Sequence, residues 1–431
     1  CTESCRLPRM EGGPMRTSAK GDRQVLRELG LQVAEIAALD QQQTTKRLWM
    51  VLNGLGRERP MVMIDQIPWH EMGVGDELTL HCIDPLHRQV ETDLRRRLYK
   101  WRHLRHDLVI EPVVEVAKVI KGLDFGIEVH EERAVGDPFN DVVGHRYADQ
   151  IKTEQDLEKI QLREVVHDEP ATAARVSQLE EIFDGVLEVR SQGALPVLVA
   201  WDRLVTWRSP EGVLLDIIDR PDFTHALMER FTAVSLAQLD DLEAKGLLGC
   251  DQFSIHCTGA YSDELPTPGF APDRPRSADL WTYGMAQIFS TVSPAMHKEF
   301  WLDYAVGWFE RFGLGYYGCC EPLHEKIELI REVPNVRKIS MSPFVDVEVG
   351  AERIGGDFVF SRKPSPALLA VDTWDADAVE QDLIQTLEAC DRYGCPVELI
   401  LKDISTVRYE PERLWEWARI ARDLVQSAVA A

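Results

Sequence analysis

Eight short apolar stretches, each followed by polar residues, constrain the fold of this chain more than any other feature. They lie at residues 61–64, 108–113, 196–202, 253–255, 312–317, 336–343, 357–364 and 397–405. The segments between them are long enough for helices, and most show apolar residues at spacings of three and four. Unbroken apolar strands alternating with helices are typical of parallel sheets that are covered on both faces. The sequence therefore predicts an α/β fold, a (β/α)8 TIM barrel, with a doubly wound open sheet as the alternative.

Three regions follow from this pattern. Residues 1–21 have little hydrophobic periodicity, and we expect them to be disordered or to come from an upstream start, with Met10 or Met15 as the true start. Residues 22–56 carry apolar residues at helical spacing and predict N-terminal covering helices. Residues 57–427 form the predicted barrel. Two irregular segments, 118–168 and the proline-rich 261–279, predict long loops over its carboxyl face.

Composition excludes several classes of function. The 431 residues include 72 Asp and Glu against 48 Lys and Arg, a net charge of −24, which disfavours both nucleic acid and anionic membranes as partners. The sequence contains no apolar run of about 18 residues, no GxGxxG after a strand and no P-loop. Nine cysteines in a chain of this size suggest reduced thiols. We expect a cytoplasmic enzyme that acts on a small molecule.

The richest chemistry follows the fifth stretch. The carboxyl ends of parallel strands carry the ligand-binding groups of such folds, so thiols and carboxylates there are candidates for metal binding. His256 and Cys257 follow the fourth stretch in the same way. The predicted metal ligands are Cys319, Cys320, Glu321, His256 and Cys257. Adjacent side chains of an extended segment point to opposite sides, so Cys319 and Cys320 share one ion only if the turn bends between them. A buried structural thiol and a helix-capping Glu321 are the alternatives.

Acid–base and substrate-binding residues are predicted at the other strand ends. The candidates for proton transfer or charge stabilisation are Asp65, Asp202, His256, Lys402 and Asp403. Candidates for substrate binding include aromatic walls, hydroxyls and an anion clamp: Trp69, His70, Trp201, Tyr283, Ser340, Arg362 and Lys363. Ordinary core packing and loop hydrogen bonding are the alternatives for these residues.

Two motifs carry a family resemblance. They are Trp281-Thr282-Tyr283-Gly284-Met285-Ala286-Gln287, with Val292-Ser293-Pro294 after it, and Tyr317-Gly318-Cys319-Cys320-Glu321-Pro322-Leu323. From about residue 57 to 425 the chain resembles the uroporphyrinogen decarboxylase superfamily, which includes the methylcobalamin:coenzyme M methyltransferases. In that branch a His-x-Cys-Gly motif and a later Cys bind zinc. The resemblance places Cys319 on the first Cys, Tyr317 on the His and Lys402-Asp403 at the third ligand, and it adds Tyr317 and Gln287 to the substrate-binding candidates.

The resemblance implies a zinc-dependent methyltransferase for a small substrate, with a corrinoid on a partner protein as a methyl donor. A metal-independent decarboxylase of the other branch is the alternative. In this chain Asp65-Gln66-Ile67-Pro68-Trp69-His70 stands where the porphyrin-binding members carry an arginine-rich turn. A barrel that binds a small ligand without turnover is the third hypothesis. Long exterior helices would permit a homodimer.

Overall fold

A six-stranded parallel sheet lies at the centre of the computed structural model, which describes residues 21–136 and 143–427. Its strand order is β1-β14-β13-β12-β11-β10, and every pair is parallel. All residues of β1, β11, β13 and β14 are buried, as expected for strands that are covered on both faces. The strands are β1 (Met61–Ile64), β2 (Val113–Ala117), β3 (Ile120–Lys121), β4 (Glu131–Ala134), β5 (Gly144–Tyr147), β6 (Val166–His167), β7 (Glu188–Gln192), β8 (Ser254–Ile255), β9 (Thr258–Gly259), β10 (Trp281–Gly284), β11 (Leu314–Tyr317), β12 (Val336–Met341), β13 (Val359–Arg362) and β14 (Val397–Leu401).

Helices surround this sheet. They are α1 (Asp22–Ala37), α2 (Asp40–Asn53), α3 (Pro85–His103), α4 (Glu169–Phe183), α5 (Ala200–Arg208), α6 (Pro210–Asp219), α7 (Pro221–Ala244), α8 (Pro294–His297), α9 (Asp303–Phe309), α10 (Ile327–Ile330), α11 (Val347–Ile354), α12 (Ala367–Ala370), α13 (Ala376–Tyr393) and α14 (Glu412–Ser427). Local chemistry sets their ends: the Asp84 side chain accepts hydrogen bonds from two amides of the first turn of α3, and Pro85 fills its first position. In the described part of the chain, we find no helix that is both long and apolar enough to cross a membrane.

The remaining strands of the described chain form four separate two-stranded sheets: β2 with β7, β3 with β6, β4 with β5 and β8 with β9. β2 and β7 pair in parallel, and a bridge between Leu198 and Gly284 joins the chain after β7 to the free edge at β10. Among the described strands, β1 and β2 do not pair. The architecture is a mixed α/β fold with a mostly parallel central sheet, compatible with a barrel-like fold.

Five of the eight predicted strands lie close to their expected positions, and three require correction. The second strand is β2, which begins at Val113, the last residue of the predicted stretch 108–113. In the third stretch, 196–202, only Leu198 makes a parallel bridge, to Gly284, and helix α5 begins at Ala200, where Trp201, Leu204 and Trp207 recur at a spacing of three and are all buried on one helical face. The strand of this region is β7, and β10 is a strand that the pattern did not predict.

The fourth predicted stretch is one arm of a hairpin. β8 and β9 pair antiparallel, and the tip residues His256 and Cys257 have positive φ values of 42° and 71°. The base of this hairpin contacts residues at the amino ends of the central strands. Thr258 Oγ1 donates to Glu398 Oε2 over 2.7 Å, and Asn53 Nδ2 donates to the Gly259 carbonyl over 3.1 Å. The hairpin thus approaches the sheet from the amino ends of the strands, with its tip directed along them.

The domain boundaries at residues 22, 56 and 57 remain a prediction. Helices α1 and α2 occupy the predicted N-terminal region, with Val25, Leu26, Leu29 and Val33 of α1 buried. The predicted extension 1–21 lies outside the described residues except for Gly21.

Candidate functional site

The turn after β11 is held rigidly from both sides. Gly318 has φ of 88°, and a Cβ at this position would lie 2.3 Å from Leu323 Cδ1, so the turn requires glycine. The buried Glu321 carboxylate accepts the amide of Cys319 over 2.9 Å and that of Ala286 over 3.1 Å. Ser340 Oγ donates to the Cys319 carbonyl over 2.6 Å. These contacts fix the backbone of Cys319 through both its N–H and its C=O groups.

Cys319 forms a buried pair with Lys402, which follows β14. Lys402 Nζ lies 3.0 Å from Cys319 Sγ, and the two residues are 2% and 0% exposed. The pKa of Cys319 is lowered by a hydrogen bond from Cys320 and by the charge of Lys402, which together outweigh burial. Burial alone would lower the pKa of Lys402, but the neighbouring Cys319 and Asp403 raise it overall. The two opposite shifts favour the thiolate form of Cys319 and the ammonium form of Lys402.

Cys320 lies on the solvent side of this pair. The turn bends between the two cysteines, so their sulfurs are 3.5 Å apart on one side of the chain, contrary to the alternation of an extended segment. Cys320 Sγ lies 3.4 Å from Asp403 Oδ2, which is the alternative acceptor for its single proton. The hydrogen bond to Cys319 and burial both raise the pKa of Cys320, so Cys320 keeps its proton. Asp403, with a side chain 42% exposed, stands between this cluster and solvent.

The hairpin tip brings the neutral imidazole of His256 close to the Cys319–Lys402 pair. The ring of His256 lies 4.8 Å from that of Tyr283 and 5.0 Å from that of Tyr316. Burial, together with the charges of Lys402 and Lys363, lowers its pKa well below 6.5. His256 Nε2 is buried and has no hydrogen-bond partner among the described residues. This nitrogen is therefore available to accept a hydrogen bond.

Cys257 lies beside His256 and faces Asp65. Burial and the charge of Asp65 raise the pKa of Cys257 to about 12, so it is a neutral thiol. Burial would raise the pKa of Asp65, but Lys100, 3.5 Å away, and hydrogen bonds lower it overall. The Asp65 carboxylate is therefore ionised.

Asp202 is a further carboxyl group near the site, and its pKa is shifted in the opposite direction to that of Asp65. It lies in the first turn of α5, where Gln287 Nε2 donates to Asp202 Oδ1 over 2.7 Å. Its Oδ2 atom is buried and makes no hydrogen bond to the described part of the chain. Burial, with the nearby charge of Glu321, raises its pKa to about 6. Asp202 can hold or release a proton near neutral pH, as a general acid or base requires.

Lys363 adds a second buried lysine. Its Nζ donates to Tyr316 Oη and, over 2.8 Å, to Ser361 Oγ. Burial lowers its pKa to about 8. The positive charge of Lys363 thus lies close enough to His256 and Cys257 to lower the pKa of each.

Three predicted substrate-binding residues face away from this cluster. Tyr317 Oη lies 2.5 Å from His297 Nε2, on the helix side of the sheet. Trp201 is fully buried and donates to the Phe300 carbonyl over 3.1 Å. Arg362 donates to the Ser342 carbonyl over 2.6 Å and pairs with Asp382 at 3.1 Å. Alternation along a strand accounts for Tyr317 and Arg362, and the helical conformation of α5 accounts for Trp201. All three are corrected to structural roles.

The remaining predicted residues occupy the rim or the support of the site. Trp69 packs against Tyr99 with ring centroids 5.7 Å apart. His70 lies 3.6 Å from Glu71 and 6.1 Å from the ring of Tyr409. Both are half-buried in the turn that follows Asp65. Ser340 supports the backbone of Cys319 instead of facing a ligand.

Sequence reasoning missed a buried charge pair beneath the hairpin. Lys338 Nζ lies 2.8 Å from Glu398 Oε2, and both side chains are fully buried. Thr258 of the hairpin donates to the same carboxylate oxygen. The sequence does place a lysine and a glutamate inside otherwise apolar strands. Because charged residues are almost never fully buried unless they are paired, this pattern could have predicted the ion pair.

The observed donor set does not fit zinc. Within residues 21–136 and 143–427, no group of three Cys, His, Asp or Glu side chains is arranged to hold a metal ion. Both oxygens of Glu321 are occupied by amides. The Lys402 ammonium group lies against Cys319 Sγ, and its charge would repel a divalent cation there. The five predicted ligands therefore gather around one region without forming a metal site.

Comparisons with known proteins give likenesses to solved structures and no match by sequence family. No family model matches the chain, and no curated protein matches it. Among solved structures, a methyltransferase from Methanosarcina mazei is similar with a TM-score of 0.48 and 10% sequence identity, over 88% of this chain and 98% of that chain. The function has to be argued from the side chains of the site.

Proposed function

We propose that the protein is an enzyme of methyltransferase type that acts on a small substrate through the thiolate of Cys319. The contact that carries this proposal is the 3.0 Å distance between Lys402 Nζ and Cys319 Sγ in a buried setting. A thiolate is the nucleophilic form of cysteine, and a neighbouring lysine ammonium is one of the groups that stabilise it. Lys402 thus supplies the positive charge that a metal ion supplies in zinc-dependent enzymes.

The proposed step transfers a methyl group to sulfur. The Cys319 thiolate attacks the methyl carbon, a sulfur–carbon bond forms, and the bond to the donor breaks with its electron pair remaining on the donor. Lys402 keeps its proton throughout. When an acceptor takes the methyl group, the same ammonium stabilises the departing thiolate, because a thiolate of low pKa is the better leaving group.

The surrounding residues would position the reactants. Cys320 and Asp403 lie on the open side of the thiolate, so the donor approaches past them. His256 Nε2 offers an acceptor to a substrate donor, and Tyr283 provides part of an aromatic wall next to it. Asp202 would take or supply the proton that the acceptor exchanges.

Two finer features belong to the same proposal. The central sheet, extended by β2 and β7, would form a (β/α)8 barrel with Cys319 and Lys402 at the carboxyl ends of its strands. The resemblance to the corrinoid-linked branch suggests a methylcorrinoid carried by a partner protein as the methyl donor. Zinc is not part of the proposal, because the donor set does not fit it.

A metal-independent decarboxylase is the second candidate, and Asp202 is the observation in its favour. A buried carboxyl group with a pKa of about 6 and one free oxygen suits proton transfer to the carbanion left by loss of carbon dioxide. Arg362 is paired with Asp382 and donates to the Ser342 carbonyl, so Lys402 and Lys363 are the predicted cations that would hold the substrate carboxylate.

The test is methyl transfer to a mapped cysteine. Wild type, Cys319→Ser and Cys257→Ser are incubated with methylcobalamin or iodomethane, and methylated peptides are identified by mass spectrometry. We expect methylation of Cys319 in wild type and in the Cys257→Ser control, and none at this position in Cys319→Ser. Methylation spread equally over the cysteines would refute the proposal. Release of carbon dioxide from small carboxylic acids, lost in Asp202→Asn but retained in Cys319→Ser, would favour the decarboxylase.

A further inference from the structure

A second cavity lies behind the hairpin, away from Cys319. It has a volume of about 190 Å³ and is bounded by Trp49 of α2, by Phe253 and Gly259 of the hairpin segment, and by Tyr261 after it. A cavity of about 150 Å³ accommodates one benzene ring in another protein. This cavity therefore has room for a single ring with a short substituent.

One polar group in the cavity wall has no partner. Tyr261 is 8% exposed, and its buried hydroxyl makes no hydrogen bond of normal geometry to a described residue, while burial and its interaction with the nearby Glu111 side chain raise its pKa. Leaving a buried hydroxyl unpaired costs free energy that a ligand donor or acceptor would recover. The orphaned hydroxyl distinguishes this cavity from an ordinary packing void.

The charges that face the cavity are paired, with one exception. Lys46 lies 2.9 Å from Glu111, Arg97 lies 2.7 Å from Asp93, and Asp107 accepts both Arg59 and Arg422. Apart from this exception, each charged side chain of the wall has an opposite charge beside it, and Asp107 with its two arginines is left with one net positive charge.

The exception is Glu115, which stands exposed at the cavity. Its Oε1 atom accepts from Gln192 Nε2 over 3.0 Å, and no cationic side chain of the described chain lies within ion-pair distance of it. Burial of part of the side chain raises its pKa by more than the Gln192 hydrogen bond and the charges of Arg97 and Arg190 lower it, so a closer cation would favour the carboxylate. The Tyr261 ring already has an ammonium group, that of Lys46, 5.1 Å from its centre.

We propose that this cavity binds a small organic ammonium ion with a single aromatic ring. The ring would pack among Trp49, Phe253 and Tyr261, and the ammonium group would pair with Glu115. Thr258 and Gly259 form one wall of the cavity, and the two residues before them are the hairpin tip at the thiol cluster. The cavity is thus a second site, separate from the Cys319 thiolate, and its occupant contacts the element that carries His256.

Isothermal titration of the full chain with benzylamine tests the proposal, with benzyl alcohol as the neutral probe of the same shape. We expect one benzylamine site per chain. Glu115→Gln should weaken binding by about tenfold or more, as for a lost charged hydrogen bond. Tyr261→Phe should weaken it by a smaller factor. Glu35→Gln, a change at an exposed glutamate on α1, is the matched control and should bind like wild type.

Three results would overturn the proposal. They are the absence of benzylamine binding at millimolar concentration, equal binding of benzyl alcohol, and unchanged affinity in Glu115→Gln. Thermal unfolding of each variant checks that it folds. Tyr261→Phe removes only the unpaired hydroxyl, so its fold should be intact even if the glutamine variant is destabilised. Cys319→Ser should bind benzylamine like wild type, which separates this site from the proposed catalytic one.

Discussion

Replacing Lys402 by methionine should raise the pKa of Cys319 strongly, because it removes the cation 3.0 Å from the sulfur. Coulomb's law, 332/(εr), gives about 5 kcal/mol for two unit charges at this distance and an effective dielectric constant of about 20. This corresponds to about 4 pKa units, at about 1.36 kcal/mol for each unit. The Cys320 thiol and water that enters the vacated space would recover part of it. We therefore expect a rise of about 2 units or more.

The assay is alkylation of Cys319 by iodoacetamide as a function of pH, followed by peptide mass mapping. Wild type should react as a thiolate well below pH 9.0, the ordinary value for a cysteine, whereas Lys402→Met should require alkaline pH. Near-ultraviolet circular dichroism checks that the variant is folded, and alkylation of Cys257→Ser provides the matched control. An alkylation profile of Cys319 that is the same in Lys402→Met and wild type would refute the reasoning.

Four further predictions concern the same region. Folding raises the pKa of Asp202 from 3.8 to about 6, so the ionisation of Asp202 lowers the free energy of unfolding as pH rises through this window. Asp202→Asn should therefore be more stable than wild type by about 1–3 kcal/mol at pH 8 in thermal unfolding, and indistinguishable from it near pH 4. Asp65→Asn should behave in the opposite way, because the pKa of Asp65 is lowered and its stabilisation is present at pH 8 and lost in acid. Gly318→Ala should destabilise the fold by about 1–3 kcal/mol in chemical denaturation, since φ of 88° is unfavourable for alanine and its Cβ would meet Leu323. Purified protein should contain less than one zinc ion per chain by plasma mass spectrometry, and a chelator should leave the alkylation profile of Cys319 unchanged. One tightly bound zinc ion per chain would contradict the conclusion that the side chains of the site do not fit zinc.

The gathering of candidate residues could be predicted because strand ends share an edge. Asp65, Cys319 and Lys402 come from segments far apart in sequence, yet each follows a buried parallel strand. Parallel strands in register bring such residues together whatever their separation. For these three residues, the positions that the rule predicts agree with the structure.

Side-chain direction within a strand was not predictable in the same way. The motif resemblance placed Tyr317 at the site, but Tyr316 is the tyrosine that reaches Lys363 and Ser361, while Tyr317 contacts His297. In a strand that is buried on both faces, apolar residues line both sides, so the sequence pattern does not tell which side faces the site. The hairpin was missed for a related reason: two residues per strand are too few to show an alternation.

The seating of the hairpin has a consequence for the order of folding. Its base is tied to Asn53, 206 residues earlier, and to Glu398, 140 residues later. Contacts of such sequence separation form slowly, since the intervening chain must be ordered first. During synthesis, the hairpin cannot form its hydrogen bond with the Glu398 carboxylate until β14 has left the ribosome. His256 and Lys402 therefore reach their final positions only late in folding, and a chain that ends before residue 398 would have the thiols but not the environment that ionises one of them.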